Sequence, residues 1–384
     1  MKKILWLAIA LVLVIALVLV GGGWYFSDQI KGDTIKVDHS KDLPDLEVAD
    51  ISGDSITLRP TPDTDKGDWR AKGIWGVEWK DGYEQVGEII DLKDQSVVRE
   101  YISLTGGLST DDKVRLDSYA FPGDPLQAHG IAFEEVSYSS TLGSFPAWFI
   151  EGSTDVWAIF VHGHGASRRE ALRMLPVVTE LGLPSLVITY RNDEGVPQNP
   201  DGLHWFGLTE WEDLEGAVKY AVGREAEGVV LIGYSMGGGI VTKFLYESPL
   251  AEKVRGVVLD SPMLDFGATI DHGASQRSIP VVGGTPVLDL IIWIAKNISS
   301  IRFGIDFDRM DYLSGVNELA TPILLFHSDA DRKVPVESSD TLAETRPDIV
   351  RYIRNSDIDH VRTWNVLRSE YEAAVKDFLL KLAP

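Results

Sequence analysis

The chain has 384 residues, of which 36 are basic and 58 are acidic, so its formal net charge is −22. Such an acidic chain is poorly suited to nucleic acid, and no nucleic-acid partner is expected. The absence of cysteine excludes disulfides, thiolate nucleophiles, zinc–thiolate sites and cysteine-linked lipid anchors. The length favours one large domain with additional segments.

The chain begins with a long apolar segment. Lys2 and Lys3 precede an uncharged apolar run at 4–20, and an aromatic cluster follows from Trp24. A cleavable signal has an apolar core of about 7–15 residues, whereas a membrane-spanning helix needs about 17–25. We therefore predict that residues 1–26 form a single-pass signal anchor in the cell membrane. The lysines favour an extracytoplasmic location for the rest of the chain; cleavage near the glycines would give a secreted protein instead.

Two segments of different composition follow the anchor. Residues 27–50 are polar and contain Asp, Lys and Pro, which predicts a linker. Residues 51–130 are predicted to be β-rich, because VEWKDGYEQVGEII holds two strand-like runs around a turn at Lys80-Asp81-Gly82. This region is either a small β domain or an elaborated edge of the domain that follows.

From residue 131 the pattern alternates between apolar strands and amphipathic helices. The strands are carried by VWAIFV, SLVITY, VVLIGY, VRGVVLD, PILLFH and DIVRYI. In TEWEDLEGAVKYAV, Thr209 and Glu212 fit a helix capping box. Alternating strands and helices predict an α/β fold, with a mostly parallel sheet and helices on both faces, over 131–384. The interval 262–315 lacks a clear strand and is predicted to be an inserted, partly helical cap.

The stretch VVLIGYSMGGGIV, residues 229–241, carries the strongest chemical signal. An apolar strand leads into Gly-Tyr-Ser-Met-Gly, and a helix-compatible segment follows. A sharp strand-to-helix turn lifts the hydroxyl of Ser235 clear of the sheet and needs glycine on both sides. The start of the helix adds N–H donors for a developing oxyanion. Ser235 is therefore the predicted nucleophile.

A serine nucleophile needs a histidine base and a carboxylate. His360 lies in a polar loop between the last strand and the last helix, where it can point back toward Ser235, and it is the predicted base. His327 ends an apolar strand and is interpreted as structural. The loop HSDADRKVP offers Asp329 and Asp331 as acids just past a strand end, and Asp260 is a third candidate.

These residues resemble the α/β-hydrolase superfamily over 131–384, with its order of serine, acid and histidine. HSDADRKVP is similar to that family's H-G-x-x-D-x-x-V-P loop, which favours Asp331 and leaves Asp329 as the alternative acid. His162-Gly163-His164-Gly165 resembles the family's H-G-x-G oxyanion loop, which implies that the backbone N–H groups of His164 and Met236 hold the oxyanion. The runs GHGASRREALRML and GYSMGGG are similar to membrane-anchored bacterial hydrolases.

The resemblance implies a serine hydrolase that cleaves a small-molecule or lipid-like acyl ester through an acyl-enzyme, with no cofactor and no metal. An acyltransferase or a peptidase could use the same three residues, and a non-catalytic binding protein could use the same fold. Two features have alternative interpretations. Asp193 can contact a ligand or cap a turn, and Arg168, Arg169 and Arg173 can meet a substrate anion or form a solvated helix face.

Overall fold

The computed structural model describes residues 2–40, 43–61, 69–276 and 286–382. The first helix, α1 (Lys2–Gln29), continues into a π-helical segment at Ile30–Ile35. It is long and apolar enough to cross a membrane, by length and composition alone. Its apolar side chains up to Val18 are exposed, which is unfavourable in water unless another phase covers them.

Six antiparallel strands close into a small barrel after this helix, in the order β1-β2-β5-β4-β3-β6. The strands are β1 (Leu46–Ser52), β2 (Ser55–Pro60), β3 (Trp75–Trp79), β4 (Gly82–Lys93), β5 (Ser96–Ile102) and β6 (Lys113–Asp117). Alternate residues of these strands point inward, and their valine, leucine and isoleucine side chains fill the barrel. The predicted β-rich region is thus a closed barrel.

The predicted boundaries 26/27 and 50/51 differ from the observed elements. Helix α1 runs three residues past residue 26, and β1 begins at Leu46, inside the segment 27–50 that was predicted to be a linker. The polar composition concealed β1, because only the inward-facing residues Leu46 and Val48 are fully buried. Val37 also donates to the carbonyl of Gly202, at 3.1 Å, so part of this segment is fixed on the domain that follows the barrel.

The second domain is built on an eight-stranded sheet with the order β14-β13-β12-β11-β9-β10-β8-β7. Its strands are β7 (Glu134–Ser140), β8 (Gly143–Ile150), β9 (Val156–Val161), β10 (Ser185–Ile188), β11 (Gly228–Tyr234), β12 (Val254–Asp260), β13 (Ile323–Ser328) and β14 (Val350–Asn355). The six strands from β9 onward pair in parallel, and the β7–β8 hairpin adds two antiparallel strands at one edge. The predicted α/β-hydrolase sheet is confirmed.

Helices cover both faces of this sheet and also build its cap. They are α2 (Pro125–His129), α3 (Leu175–Glu180), α4 (Trp211–Gly223), α5 (Met236–Glu247), α6 (Phe266–Ser275), α7 (Pro286–Phe303), α8 (Val336–Thr345), α9 (Thr363–Val366) and α10 (Arg368–Leu382). Alternate strand residues feed two apolar cores, one against α4 and α5 and the other against α3 and α10. Strands buried on both faces explain the continuous apolar runs of the sequence.

The predicted capping box of α4 is wrong. The side chain of Glu212 accepts from Thr141 and Arg191 rather than capping the helix. The buried carboxylate of Glu210 instead accepts the N–H groups of Trp205 and Gly207, at 2.7 and 2.9 Å. Glu210 therefore secures the loop before the helix, a role that the residue spacing did not reveal.

The segment between β12 and β13 forms the cap that was predicted at 262–315. It contains α6 and α7 and two short 3-10 turns, Asp308–Met310 and Leu313–Glu318. Residues 277–285, which include part of the predicted cap, lie outside the described residues. Helix α7 packs against the end of α1, so the cap connects the N-terminal helix to the sheet.

Candidate active site

Ser235 lies in the sharp turn between β11 and α5. Its backbone has φ 50° and ψ −118°, a conformation that non-glycine residues rarely adopt. The flanking glycines are required by close backbone approach. A Cβ on Gly237 would lie 2.1 Å from the carbonyl oxygen of Val161, and one on Gly233 would lie 2.7 Å from that of Gly237. The predicted strand–turn–helix arrangement is therefore present, and it exposes the hydroxyl at the end of the sheet.

The structure brings Ser235, His360 and Asp331 together. The Oγ of Ser235 lies 2.8 Å from Nε2 of His360, and Nδ1 of His360 lies 2.7 Å from Oδ2 of Asp331. This spacing fits a neutral imidazole that donates its Nδ1–H to the carboxylate and accepts the serine hydroxyl at Nε2. The three groups come from the turn after β11, the loop after β13 and the loop after β14, so the parallel strand order assembles them at the carboxyl ends of the strands.

The carboxylate of Asp331 is held by further contacts. Its Oδ1 accepts the backbone N–H groups of Lys333 and Val334, each at 2.8 Å. Its Oδ2 also lies 3.1 Å from Nε2 of His327, whose Nδ1 contacts the hydroxyl of Ser339 at 2.7 Å. Burial alone would raise the pKa of Asp331, but the two histidines outweigh it and hold the pKa well below its usual range. Asp331 is therefore a fixed, ionised acceptor.

The other two candidate acids lie elsewhere. The carboxylate of Asp329 contacts Arg354 at 3.4 Å and accepts the N–H of Asp357 at 3.3 Å, on the outer side of the same loop. Asp260 is buried at the end of β12, where it accepts from the hydroxyl of Ser261 at 3.2 Å, and desolvation raises its pKa to about 6. Its carbonyl oxygen accepts the N–H of Ser235, at 2.9 Å.

The loop after β9 lies against the serine. A Cβ on Gly163 would be only 3.0 Å from the Cβ of Ser235, so glycine is needed for this approach. The backbone N–H of His164 has no hydrogen-bond partner within the described residues. Met236 is the first residue of α5, so its N–H has no carbonyl partner within that helix. These are the two N–H groups that the sequence resemblance implies for the oxyanion.

Glu170 and Arg173 form a buried link that the sequence did not reveal. The Oε2 of Glu170 accepts the N–H of Gly163 at 2.8 Å, and Oε1 lies 3.3 Å from Nη2 of Arg173. Nη1 of Arg173 donates to the carbonyl of Val361, next to His360, at 2.8 Å. The pair therefore connects the loop beside the serine to the loop that carries the histidine. Its i,i+3 spacing was the only sequence signal.

His162 anchors the same loop from the other side. Its Nε2 lies 2.9 Å from Oδ2 of Asp193, and its Nδ1 lies 3.0 Å from the carbonyl oxygen of Gly163. Burial lowers the pKa of His162, but Asp193 and the carbonyl raise it by more, and the net pKa is raised. Asp193 also accepts the N–H of Tyr190 at 3.1 Å, so it both caps a turn and pairs with the histidine.

Replacement of Asp193 by Asn is expected to lower the free energy of unfolding by roughly 1.5–3 kcal/mol at pH below 6.5 and by less at higher pH. The raised pKa of His162 stabilises the fold fully below its unfolded pKa of about 6.5, and this gain is lost as pH rises through the folded pKa. Urea unfolding from pH 5.5 to 8.5 measures the difference, with the exposed neighbour Glu194→Gln as control. A difference independent of pH would contradict the assignment.

The serine and histidine open into a cleft of about 1430 Å³. Its walls come from the barrel, the cap and the end of α1 as well as from the sheet. Arg169 lines it and donates to Asp117 of β6 at 2.6 Å, and Arg168 pairs with Glu135 at 2.7 Å, so both arginines already have carboxylate partners. Within the described residues, no group of three or more Asp, Glu or His side chains is placed to hold a metal ion.

The barrel is fixed to the domain that carries the site. The amide Nδ2 of Asn365, in α9, donates to the carbonyls of Ile74 and Ser118, at 2.7 and 2.9 Å, and its own backbone carbonyl accepts the N–H of Ile74 at 2.9 Å. The guanidinium of Arg362 lies 4.5 Å from the ring centroid of Trp75. The barrel is thus attached next to the His360 loop.

A parallel α/β sheet with a serine on the turn after its central strand defines the class of the α/β hydrolases. The profile of the alpha/beta hydrolase family matches residues 158–376, more than half of the chain, and the chain belongs to this family. A second profile, a domain of unknown function (DUF8805), matches residues 47–117, which is the barrel.

Individual relatives are distant. The uncharacterized protein YfhR of Escherichia coli is 24% identical over 275 residues, covering 69% of this chain and 84% of that protein. The structure of the esterase Pf2001 from Pyrococcus furiosus superposes with a TM-score of 0.54 at 19% identity, covering 69% of this chain and 98% of that one. At this identity the likeness extends to the fold alone.

Proposed function

We propose that the protein is a serine hydrolase that cleaves a carboxylic ester through an acyl-enzyme. The observation that carries the proposal is the unbroken pair of hydrogen bonds from Ser235 through His360 to Asp331. The family membership and the esterase fold of Pf2001 support it. Such a chain of three groups is what converts a weakly nucleophilic hydroxyl into a reactive one.

The geometry supports a specific sequence of steps. Ser235 Oγ attacks the ester carbonyl carbon while Nε2 of His360 takes its proton. The N–H groups of His164 and Met236 stabilise the oxyanion. The imidazolium, held by Asp331, then protonates the leaving alkoxide, and the alcohol departs. Water attacks the acyl-enzyme by the same steps, which releases the acid and restores Ser235.

A fluorophosphonate probe tests the proposal, because it labels only activated serines. The full chain in detergent is expected to be labelled. Ser235→Ala is expected to show no labelling, and His360→Ala is expected to show very little. Ser167→Ala is the matched control, since Ser167 lines the cleft without a histidine partner among the described residues. Labelling that survives in Ser235→Ala would refute the proposal. Product analysis with added alcohols then separates hydrolysis from acyl transfer.

We also infer that α1 anchors the protein in the cell membrane, with the remainder outside the cytoplasm. The exposed apolar run and the two lysines before it support this placement. Protein that stays in the membrane fraction after alkaline carbonate extraction, at the mass of the full chain, is the expected result. A shorter, extractable form would show that the segment is a cleaved signal.

A further inference from the structure

We propose that the N-terminal half of α7 lies in the membrane interface beside α1, so that the active-site cleft opens onto the bilayer and takes acyl esters of membrane lipids. The inference rests on the proposed function, in which α1 is an anchor and Ser235 is the nucleophile. It adds the surface that contacts the lipid and the class of substrate. Three observations carry it. They are the packing of α7 against α1, the position of the exposed Leu290 and Trp293 relative to the end of the proposed span, and the residues that line the cleft.

Helices α1 and α7 run in the same direction and pack closely. A Cβ on Gly23 would lie 2.4 Å from Cγ2 of Ile294, so the absence of a side chain lets the helices approach. Further along both helices, Arg302 pairs with Asp28 at 2.8 Å and lies 3.9 Å from the ring centroid of Trp24. The cap helix is thus fixed at a defined height along α1.

The part of α1 that contacts α7 lies where the proposed membrane span ends. About 20 residues cross the hydrocarbon core, so a span that starts at Ile4 ends near Gly23. Trp24 and Tyr25, which follow, are 50% and 58% exposed, as expected for interfacial aromatic residues. On α7, Leu290 and Trp293 lie beside this level and are 42% and 60% exposed. These four exposed apolar and aromatic side chains all lie near the end of the proposed span.

The cleft is lined by close sequence neighbours of these side chains. Its lining includes Phe26 and Ile30 after the span and Ile292 on the inner side of α7, together with Ser235 and His360. An acyl chain that leaves the bilayer at this point can therefore reach the serine along protein surface. Soluble esters would need no such placement of the cap, and so the arrangement points to esters that reside in the membrane.

The absence of cysteine makes the placement directly measurable. Single cysteines replace Leu290 or Trp293 and carry an NBD fluorophore, in the full chain reconstituted in palmitoyl-oleoyl-phosphatidylcholine vesicles that contain doxyl-labelled lipid. Leu11→Cys in the span is the positive control, and the exposed Leu380→Cys in α10 is the negative control. Ile301→Cys, eight residues beyond Trp293 on α7, tests the height, because the helix rises about 12 Å over that distance.

We expect the doxyl lipid to quench NBD strongly at position 11 and to an intermediate degree at positions 290 and 293. Little quenching is expected at positions 301 and 380. Quenching at 11 without quenching at 290 and 293 would overturn the inference and leave the anchor intact. No quenching at 11 would refute the anchor itself. Equal quenching at 290 and 301 would contradict the placement of α7 along α1 relative to the membrane edge.

An activity measurement tests the substrate class separately. The double variant L290S/W293S is expected to lower the ratio of activity on a long-chain ester in vesicles to activity on a soluble short-chain ester. An unchanged ratio would overturn the link between the cap surface and the substrate. Wild-type protein that hydrolyses neither ester would instead refute the proposed hydrolase, whatever the fluorescence shows.

Discussion

Asp331→Asn is expected to reduce kcat/KM for ester hydrolysis by roughly 10⁴-fold, the size of effect known when a triad aspartate becomes an amide. The orientation of the new side chain is fixed, because Oδ1 accepts the N–H groups of Lys333 and Val334. The amide NH₂ must then face Nδ1 of His360. It forces the proton onto Nε2, the nitrogen that has to accept the proton of Ser235. Steady-state kinetics with a soluble ester measures the loss.

Asp329→Asn is the matched control for this variant. It lies two residues away in the same loop and has the same change in charge, but its contacts are with Arg354 and the N–H of Asp357. A half-exposed pair of this kind contributes at most about 1 kcal/mol, so activity close to that of the wild type is expected. A large loss in Asp329→Asn with little loss in Asp331→Asn would contradict the assignment of the acid.

The sheet was predictable because its central strands are buried on both faces. VWAIFV, VVLIGY and ILLFHS are continuous apolar runs, and no solvent-facing position interrupts them. The edge hairpin was not predicted as strands. Its first strand, EEVSYSS, has one face in solvent and only Tyr138 fully buried, so it resembles a loop in composition. The closure of the barrel also escaped prediction, because β1 pairs with β6 across more than 60 residues.

The candidate site likewise contains residues that the sequence could predict and residues that it could not. Ser235 carries a local signal, since its turn requires glycines within two residues. Arg173 has only its i,i+3 spacing to Glu170, which does not reveal that the pair is buried. It was one of three arginines that were predicted either to meet a substrate anion or to form a solvated helix face, and its burial comes from contacts with Val361 and Asn365, 188 and 192 residues later. Contacts at such a separation depend on the finished fold, so the residue pattern could not distinguish a surface arginine from a buried one.

Glu170→Leu is expected to lower the free energy of unfolding by about 3–5 kcal/mol, because it leaves the buried guanidinium of Arg173 without its carboxylate. The N–H of Gly163 loses its acceptor at the same time. The loop beside Ser235 then shifts, and a displacement of about 1 Å is enough to reduce kcat/KM by roughly 10²-fold. Urea unfolding and ester kinetics, both on the full chain in detergent, measure the two effects.

The double variant E170L/R173L distinguishes an ion pair from simple loss of packing. Two residues that act as a pair give a double variant that is less destabilised than the sum of the single ones, since no buried charge is left without a partner. Lys381→Ala, which breaks an exposed i,i+4 pair in α10, is the control and should change stability by at most about 0.5 kcal/mol. Strict additivity of Glu170→Leu and Arg173→Leu would show that each residue acts alone. The coupling free energy between Glu170 and Arg173 would then be zero, and the Gly163 loop and the His360 loop would be positioned independently.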